Sequence, residues 1–402
     1  MDERSTVLGQ LRSPVLYLGF AGFAVVTAMS SEFHGYRVWG AFAAVAYLVA
    51  VVCRDRLAVW AALGLGCAAP LAVLIFNRNA AAEDFTNAPW NWSAQPDVWV
   101  IERSARLLLA HGTPYVDVTA LGRAPDAHDY TPYGPLMTVF GLPGALFGDA
   151  PLTDARIMFA LVAVAAVVLS LRLLGWPRIP VLAAQLAAVS PLTLLTMTTS
   201  GEDVAIIALI ALTATLVITK RHGWAVVVAA VVVSMKLIAL PAIVVLVFFM
   251  LARKHIALFA AMLACCNLPV LLVDPDAFVE HAIRFPTGCA QVTSPASSPF
   301  PGHLIAELGP AGHVAALTLL IAAGLATLAW LLARRPATAA DAFWRVVVGM
   351  GAAIMLMPAS RFGYLVYPTA FIGLLVFFAS VERAAPLSAT ATTTRVTSAN
   401  AG

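Results

Sequence analysis

Apolar stretches of membrane-span length recur along the whole chain, and that recurrence leaves few folds open. A helix needs about 20 apolar residues to cross the hydrocarbon, with roughly 17 still adequate. Stretches of this kind lie near 14–30, 36–53, 57–76, 155–174, 179–197, 203–219, 256–273, 310–332, 343–357 and 364–381. A longer run, 223–252, is interrupted by Lys236 and Pro241 and reads as two short helices, 223–235 and 237–252, meeting at the outer face. About twelve spans result, with both termini on one side. Composition agrees: of 402 residues, 61% are hydrophobic and 11% charged, too little polar surface to cover a soluble globule of this size. The expected fold is all-α and polytopic. Residues 1–383 form a single transmembrane domain, and the Ala/Thr/Ser-rich stretch 384–402 is a disordered cytoplasmic tail.

The net charge of +3 is small and the basic residues are scattered between apolar segments, which excludes a nucleic-acid partner. Cys53, Cys67, Cys265 and Cys266 lie in or beside apolar segments and only Cys289 falls in an outer loop, so no disulfide framework is expected. Nothing has the spacing of a metal site, and no cofactor is expected. Arg far outnumbers Lys, which with the Ala richness points to a GC-rich bacterial genome and hence a multi-pass protein of the bacterial plasma membrane.

The segment 133–147 is apolar but short, and it carries Pro135, Gly141, Pro143 and Gly144. If it does not span, the connections holding Arg54/Arg56, Arg172/Arg178, Lys220/Arg221, Arg253/Lys254 and Arg334/Arg335 all fall on the cytoplasmic side, as the positive-inside rule asks. It is therefore read as an amphipathic or re-entrant helix on the outer leaflet. The outer regions are then a long loop, 77–154, a short one near Thr198 to Asp203, the loop 274–309, and a minor one around Pro358 to Tyr364.

The long loop is the polar interruption in an otherwise apolar chain. Within it, Val98, Ile101, Ala105, Leu108 and Leu109 fall on one side of a helix over 97–110, with Glu102, Arg103 and Arg106 elsewhere, as for a helix lying in the interface. Pro96 marks its start and Gly112 its stop. Asp97 opens this helix, where the helix N-terminus favours the ionised carboxylate. An ionised carboxylate there can act as a general base, although an Asp at a helix start also serves simply as a cap. Asp84, just beyond the third span, is the alternative acid. Trp90, Trp92, Trp99, Tyr115, Tyr130 and Tyr133 crowd the same loop, as interfacial anchors or as rings on which sugar faces stack.

Taken in order, these residues resemble a known family. Asp97, Ala105, Leu108-Leu109, Gly112, Pro114 and Tyr115, followed by Tyr130-Thr131-Pro132-Tyr133-Gly134-Pro135 leading into an apolar helix, are similar to the first outer loop of glycosyltransferase family 87. The resemblance continues through Gly201-Glu202-Asp203, Ser234-Met235-Lys236, the stretch from Ser294 to His303, and the stretch from Met357 to Tyr364. The family includes phosphatidylinositol-mannoside mannosyltransferases of the GT-C architecture. The chain departs from the family pattern in two added spans at the N-terminus, an insertion before Asp97, and Tyr-Thr-Pro-Tyr-Gly-Pro in place of Tyr-Pro-Pro.

The resemblance implies a GT-C-like fold and inverting transfer of a hexose, most often mannose. The sugar would pass from a polyprenyl-phosphate donor to a lipid or glycan acceptor on the extracytoplasmic face. Such chemistry needs one carboxylate to take the acceptor proton and cations to hold phosphate. Asp97, or alternatively Asp84, is the base. Lys236, Arg361 and Arg284 are the candidate phosphate ligands, each equally able to snorkel to the interface. Glu202 and Asp203, at the head of a span, would bind acceptor hydroxyls or pair with Lys236. Tyr130, Tyr133 and His303 are candidate contacts to sugar or acceptor. Two other classes remain, a twelve-span secondary transporter and a flippase for lipid-linked sugars. Transporters of this size are commonly two similar halves, whereas the long loop after the third span has no counterpart in the second half.

Overall fold

In lipid, each backbone N–H and C=O must find a partner within its own segment, so apolar runs of this length fold as helices. The computed structural model describes residues 3–53, 55–79, 91–286, 288–292 and 295–399, with side chains described from Pro14 to Ala384 apart from Asp55. Every stretch expected to span is helical over most of its length, and among the described residues the only strand-like pairing is an isolated bridge between Ser297 and Ser360. The protein is an all-α polytopic membrane protein.

The helices, in order, are α1 Glu3–Ser30, α2 His34–Val52, α3 Arg56–Phe76, α4 Pro96–His111 and α5 Pro135–Phe147. Next come α6 Ala155–Leu173, α7 Val181–Ala187, α8 Pro191–Thr199, α9 Glu202–Ile218 and α10 His222–Met235. The remainder are α11 Leu237–Phe249, α12 Arg253–Val273, α13 Pro275–Val279, α14 Pro301–Ala306, α15 Pro310–Ala333, α16 Ala339–Leu356 and α17 Val366–Ala399. Among the described residues, seven helices are long and apolar enough to cross a membrane, and the α7–α8 pair makes an eighth if taken as one span. The segment 14–30 and helices α10 and α11 are apolar but shorter. The tail expected beyond residue 383 falls almost entirely outside the described side chains.

Three breaks in the helices shape one end of the bundle. The span expected over 179–197 is instead two helices bent by 42°. Ser190 caps the second by accepting the Thr193 N–H, and Pro191 follows, a residue suited to the first turn of a helix and not to its interior. The Tyr47 hydroxyl donates to the Val189 carbonyl at 2.8 Å, tying α2 to this break. A second break lies at Gly201, whose φ of 94° is open to glycine without strain and turns the chain from α8 into α9. The third is Lys236, extended between α10 and α11 as the sequence predicts.

Helix α9 is the centre of the packing, with Ile206, Ile210, Thr213 and Thr215 fully buried. Helices α12 and α15 lie at the periphery and turn most of their surface outward.

Helix α4 differs from expectation in two respects. Val98, Ile101 and Ala105 are buried as predicted, but so is Glu102, and Leu109 is exposed. Glu102 faces inward because its partner, Arg78, arrives from the end of α3. The guanidinium binds both carboxylate oxygens at 2.9 Å. Arg78 also holds Asp154, and Asp154 holds Arg156, which reaches the carbonyls of Ser93 and Thr198. This buried cluster fastens α4 and the preceding loop to α6 and α8.

Candidate functional site

The polar end of a cavity of about 1350 Å³ collects Asp97, Tyr133, Glu202, Asp203, Lys236 and Arg361. Its remaining walls are mostly apolar, among them Phe20 and Phe23 of α1, Leu192 and Leu195 of α8, and Met350 and Ile354 of α16. These six polar residues come from five separate parts of the chain, and local structure brings each of them in.

Asp97 lies in the first turn of α4, after extended Gln95 and the first helical residue, Pro96. Gln95 N–H donates to the Thr199 carbonyl at 2.8 Å, which fixes the start of α4 against the end of α8. Asp97 is not a cap: one carboxylate oxygen accepts the Tyr133 hydroxyl at 2.6 Å and the other faces Arg361 at 3.5 Å. Burial pushes this carboxyl upward, but Arg361, then Lys236 and the Tyr133 hydrogen bond, outweigh it and hold the group below the usual carboxylate range. Asp97 is therefore ionised at neutral pH.

Tyr133 is placed by its neighbour. The Gly134 N–H donates to the Met235 carbonyl at 3.0 Å, and a Cβ at position 134 would stand 2.2 Å from the Ser234 carbonyl oxygen. Only glycine lets this loop press so closely on the end of α10, and the contact brings the Tyr133 ring 5.4 Å from the Lys236 ammonium. The Tyr115 hydroxyl donates to the Tyr133 carbonyl and fixes the loop from behind.

Lys236 points at the head of α9, where it meets Asp203 at 2.5 Å and Glu202 at 3.4 Å. The Tyr367 hydroxyl also donates to Asp203. The Lys236 side chain is 10% exposed, whereas that of Arg361 is 42% exposed. Arg361 sits on a loop braced from outside: Ser360 N–H donates to Ala296, Ser298 N–H to Ser360, and Phe362 N–H to the Ser298 hydroxyl. Three carboxylates thus face two cations, and Glu202 Oε2 has no hydrogen-bond partner among the described residues.

Several residues singled out in the sequence do not line the cavity. Tyr130 is buried one layer behind it, stacked at 4.4 Å on Phe285, whose ring does line the wall. The side chain of Arg284 is 59% exposed and paired with Glu280. His303 accepts no place in the cavity either; its Nδ1 lies 2.9 Å from the Pro358 carbonyl, supporting the loop that carries Arg361. Asp84 and Trp90 lie outside the described residues. Conversely, Tyr36 and Gln95 line the cavity without having stood out in the sequence, and Tyr364, at the end of a stretch that resembles the family, lines it too. Tyr36 was hidden at the edge of an apolar stretch. Among the described residues no group of His, Cys, Asp and Glu side chains could hold a metal ion.

The profile of glycosyltransferase family 87 matches residues 130–358, more than half of the chain. The chain belongs to glycosyltransferase family 87. As a member of that family it is a membrane glycosyltransferase, and the transporter and flippase readings are set aside. The match includes Tyr133, Glu202, Asp203 and Lys236, while Arg361 falls just past its end and Asp97 lies well before its start. No curated protein and no solved structure matches the chain.

Proposed function

We propose that the protein transfers a hexose, mannose by the family pattern, from a polyprenyl phosphate to a hydroxyl of a lipid or glycan. In this reading the reaction occurs on the extracytoplasmic face of a bacterial plasma membrane, in a GT-C-like domain. The observation that carries it is the cavity itself: an apolar groove suited to a lipid chain, ending in a polar pocket with one partly exposed arginine. A soluble nucleotide donor would have no use for the apolar walls.

Asp97 is the general base. The acceptor oxygen attacks the anomeric carbon on the face opposite the phosphate, Asp97 takes its proton, and the bond from that carbon to the phosphate oxygen breaks. The configuration inverts, and the leaving phosphate gains one negative charge. Arg361 meets that charge, since its guanidinium is open to the cavity and suited to phosphate oxygens. Lys236 is the weaker phosphate ligand, being already shared between Glu202 and Asp203, and its role is to bring positive potential close. Glu202, whose Oε2 has no partner among the described residues, accepts a hydrogen bond from the acceptor.

The test is incubation of the purified protein in lipid with labelled polyprenyl-phosphate-mannose and membrane acceptors. Label should pass to a lipid or glycan. Transfer from a nucleotide-linked sugar, with none from the lipid-linked one, would overturn the proposal.

A further inference from the structure

Proton accounting at the cavity wall singles out Tyr36. The Thr199 hydroxyl donates its only hydrogen to the Leu195 carbonyl at 2.8 Å, so toward Gln95 it can only accept. That orients the Gln95 amide, whose Nε2 lies 3.1 Å from Thr199 Oγ1 and 2.6 Å from the Tyr36 oxygen. Both amide hydrogens are then committed, one to each hydroxyl. Tyr36 is thus an acceptor from Gln95 and keeps its own hydrogen, for which no acceptor is present among the described residues.

The position of this free donor is built. Gly35 N–H, one residue before it, donates to the Trp92 carbonyl at 3.0 Å, and Phe33 packs edge-on against the Tyr36 ring. Gln95 in turn is anchored through its own N–H on Thr199. The phenol lines the cavity within electrostatic reach of Arg361, Asp97 and Glu202, with Arg361 the strongest single influence of the three. A fixed O–H without an acceptor beside an open guanidinium is the usual composition of a site for phosphate oxygens.

We infer that Tyr36 contacts the substrate, its hydroxyl donating a hydrogen bond to the donor phosphate beside Arg361. The inference rests on the lipid-phosphate reading above. It adds a residue of α2, outside the part of the chain that matches the family.

The experiment is a titration of polyprenyl-phosphate-mannose, at saturating acceptor, with wild type and Tyr36→Phe, alongside thermal unfolding of both. Tyr36→Phe should lower kcat/KM for the donor by roughly 10–100-fold, the worth of one hydrogen bond to a charged group. KM for the acceptor should stay unchanged. A purely structural hydroxyl would lower the unfolding midpoint and the active fraction while leaving the donor KM of the folded molecules alone. Donor kcat/KM within twofold of wild type, or a change confined to the acceptor KM, overturns the inference while leaving the donor assignment standing. Failure of wild type itself to use this donor would overturn both.

Discussion

Two clusters of carboxylates and basic groups share helix α4, little more than one turn apart, and they follow opposite rules. Around Glu102, two acids meet two guanidiniums, Arg78 and Arg156, and every one of these groups is buried and hydrogen-bonded. Around Asp97, three acids face two cations, one oxygen of Glu202 lacks a partner among the described residues, and Arg361 remains open to a large cavity. The same residue types serve in both. A closed, neutralised cluster holds elements together, while an open and unbalanced one is prepared for a ligand that completes it.

The largest effect that separates the two is expected at Asp97. Asp97→Asn keeps the size and still accepts the Tyr133 hydroxyl, but it cannot take a proton. Transfer should fall by roughly 10²–10⁴-fold, with the unfolding midpoint close to wild type. Full activity in a normally inserted Asp97→Asn protein would break the distinction and turn attention to Asp84.

At the closed cluster the opposite outcome is expected. Arg156→Ala leaves Asp154 buried with one guanidinium instead of two and frees the carbonyls of Ser93 and Thr198. Loss of one partner from a buried ion pair costs on the order of 3–5 kcal/mol of stability. Thermal or denaturant unfolding in detergent should register that loss, while the transfer rate per folded molecule stays near wild type. A stable but inactive Arg156→Ala protein would make the closed cluster part of the chemistry.

How far the sequence anticipates this contrast depends on whether partners are local. The helical segments, the break at Lys236 and the start of α4 all follow from apolar runs and nearby Pro and Gly, and the structure has them. The pairing of Lys236 with Glu202 and Asp203 is among the alternatives that the sequence leaves open, because all three stand at helix ends facing one side. Glu102 falls off the apolar side of α4 in the sequence, and nothing local marks its burial, because its partner, Arg78, comes from the end of α3. Tyr130 and Tyr133 look alike in sequence, and only the close approach allowed by Gly134 separates the ring at Lys236 from the ring packed on Phe285. Tyr36 carried no local signal at all.

A smaller effect concerns His281, which belongs with the closed groups. Its Nδ1 accepts the Thr131 N–H, so the ring is neutral and Nε2 donates to the Val116 carbonyl. Burial is the main cause that brings its pKa down to about 4, the Val116 bond pulling the other way. The unfolded value is near 6.5, so the unfolded chain binds the proton first as pH falls. The stability contributed by the neutral ring is fully present above about pH 6.5 and is lost progressively toward pH 4. The unfolding midpoint of wild type should drop across that window more than that of His281→Gln, and equal slopes would remove His281 from the account.

The central claim, that the open cavity receives a lipid-linked sugar phosphate, is tested most directly by photo-crosslinking. A polyprenyl-phosphate-mannose with a photoreactive group in its lipid chain would be irradiated with the protein in nanodiscs and the adducts mapped by mass spectrometry. Adducts should fall on the apolar walls, at Phe20, Phe23, Leu192, Leu195 or Ile354, and should disappear with excess unlabelled donor. Adducts spread over the outward faces of α12 and α15, and undiminished by unlabelled donor, would contradict it.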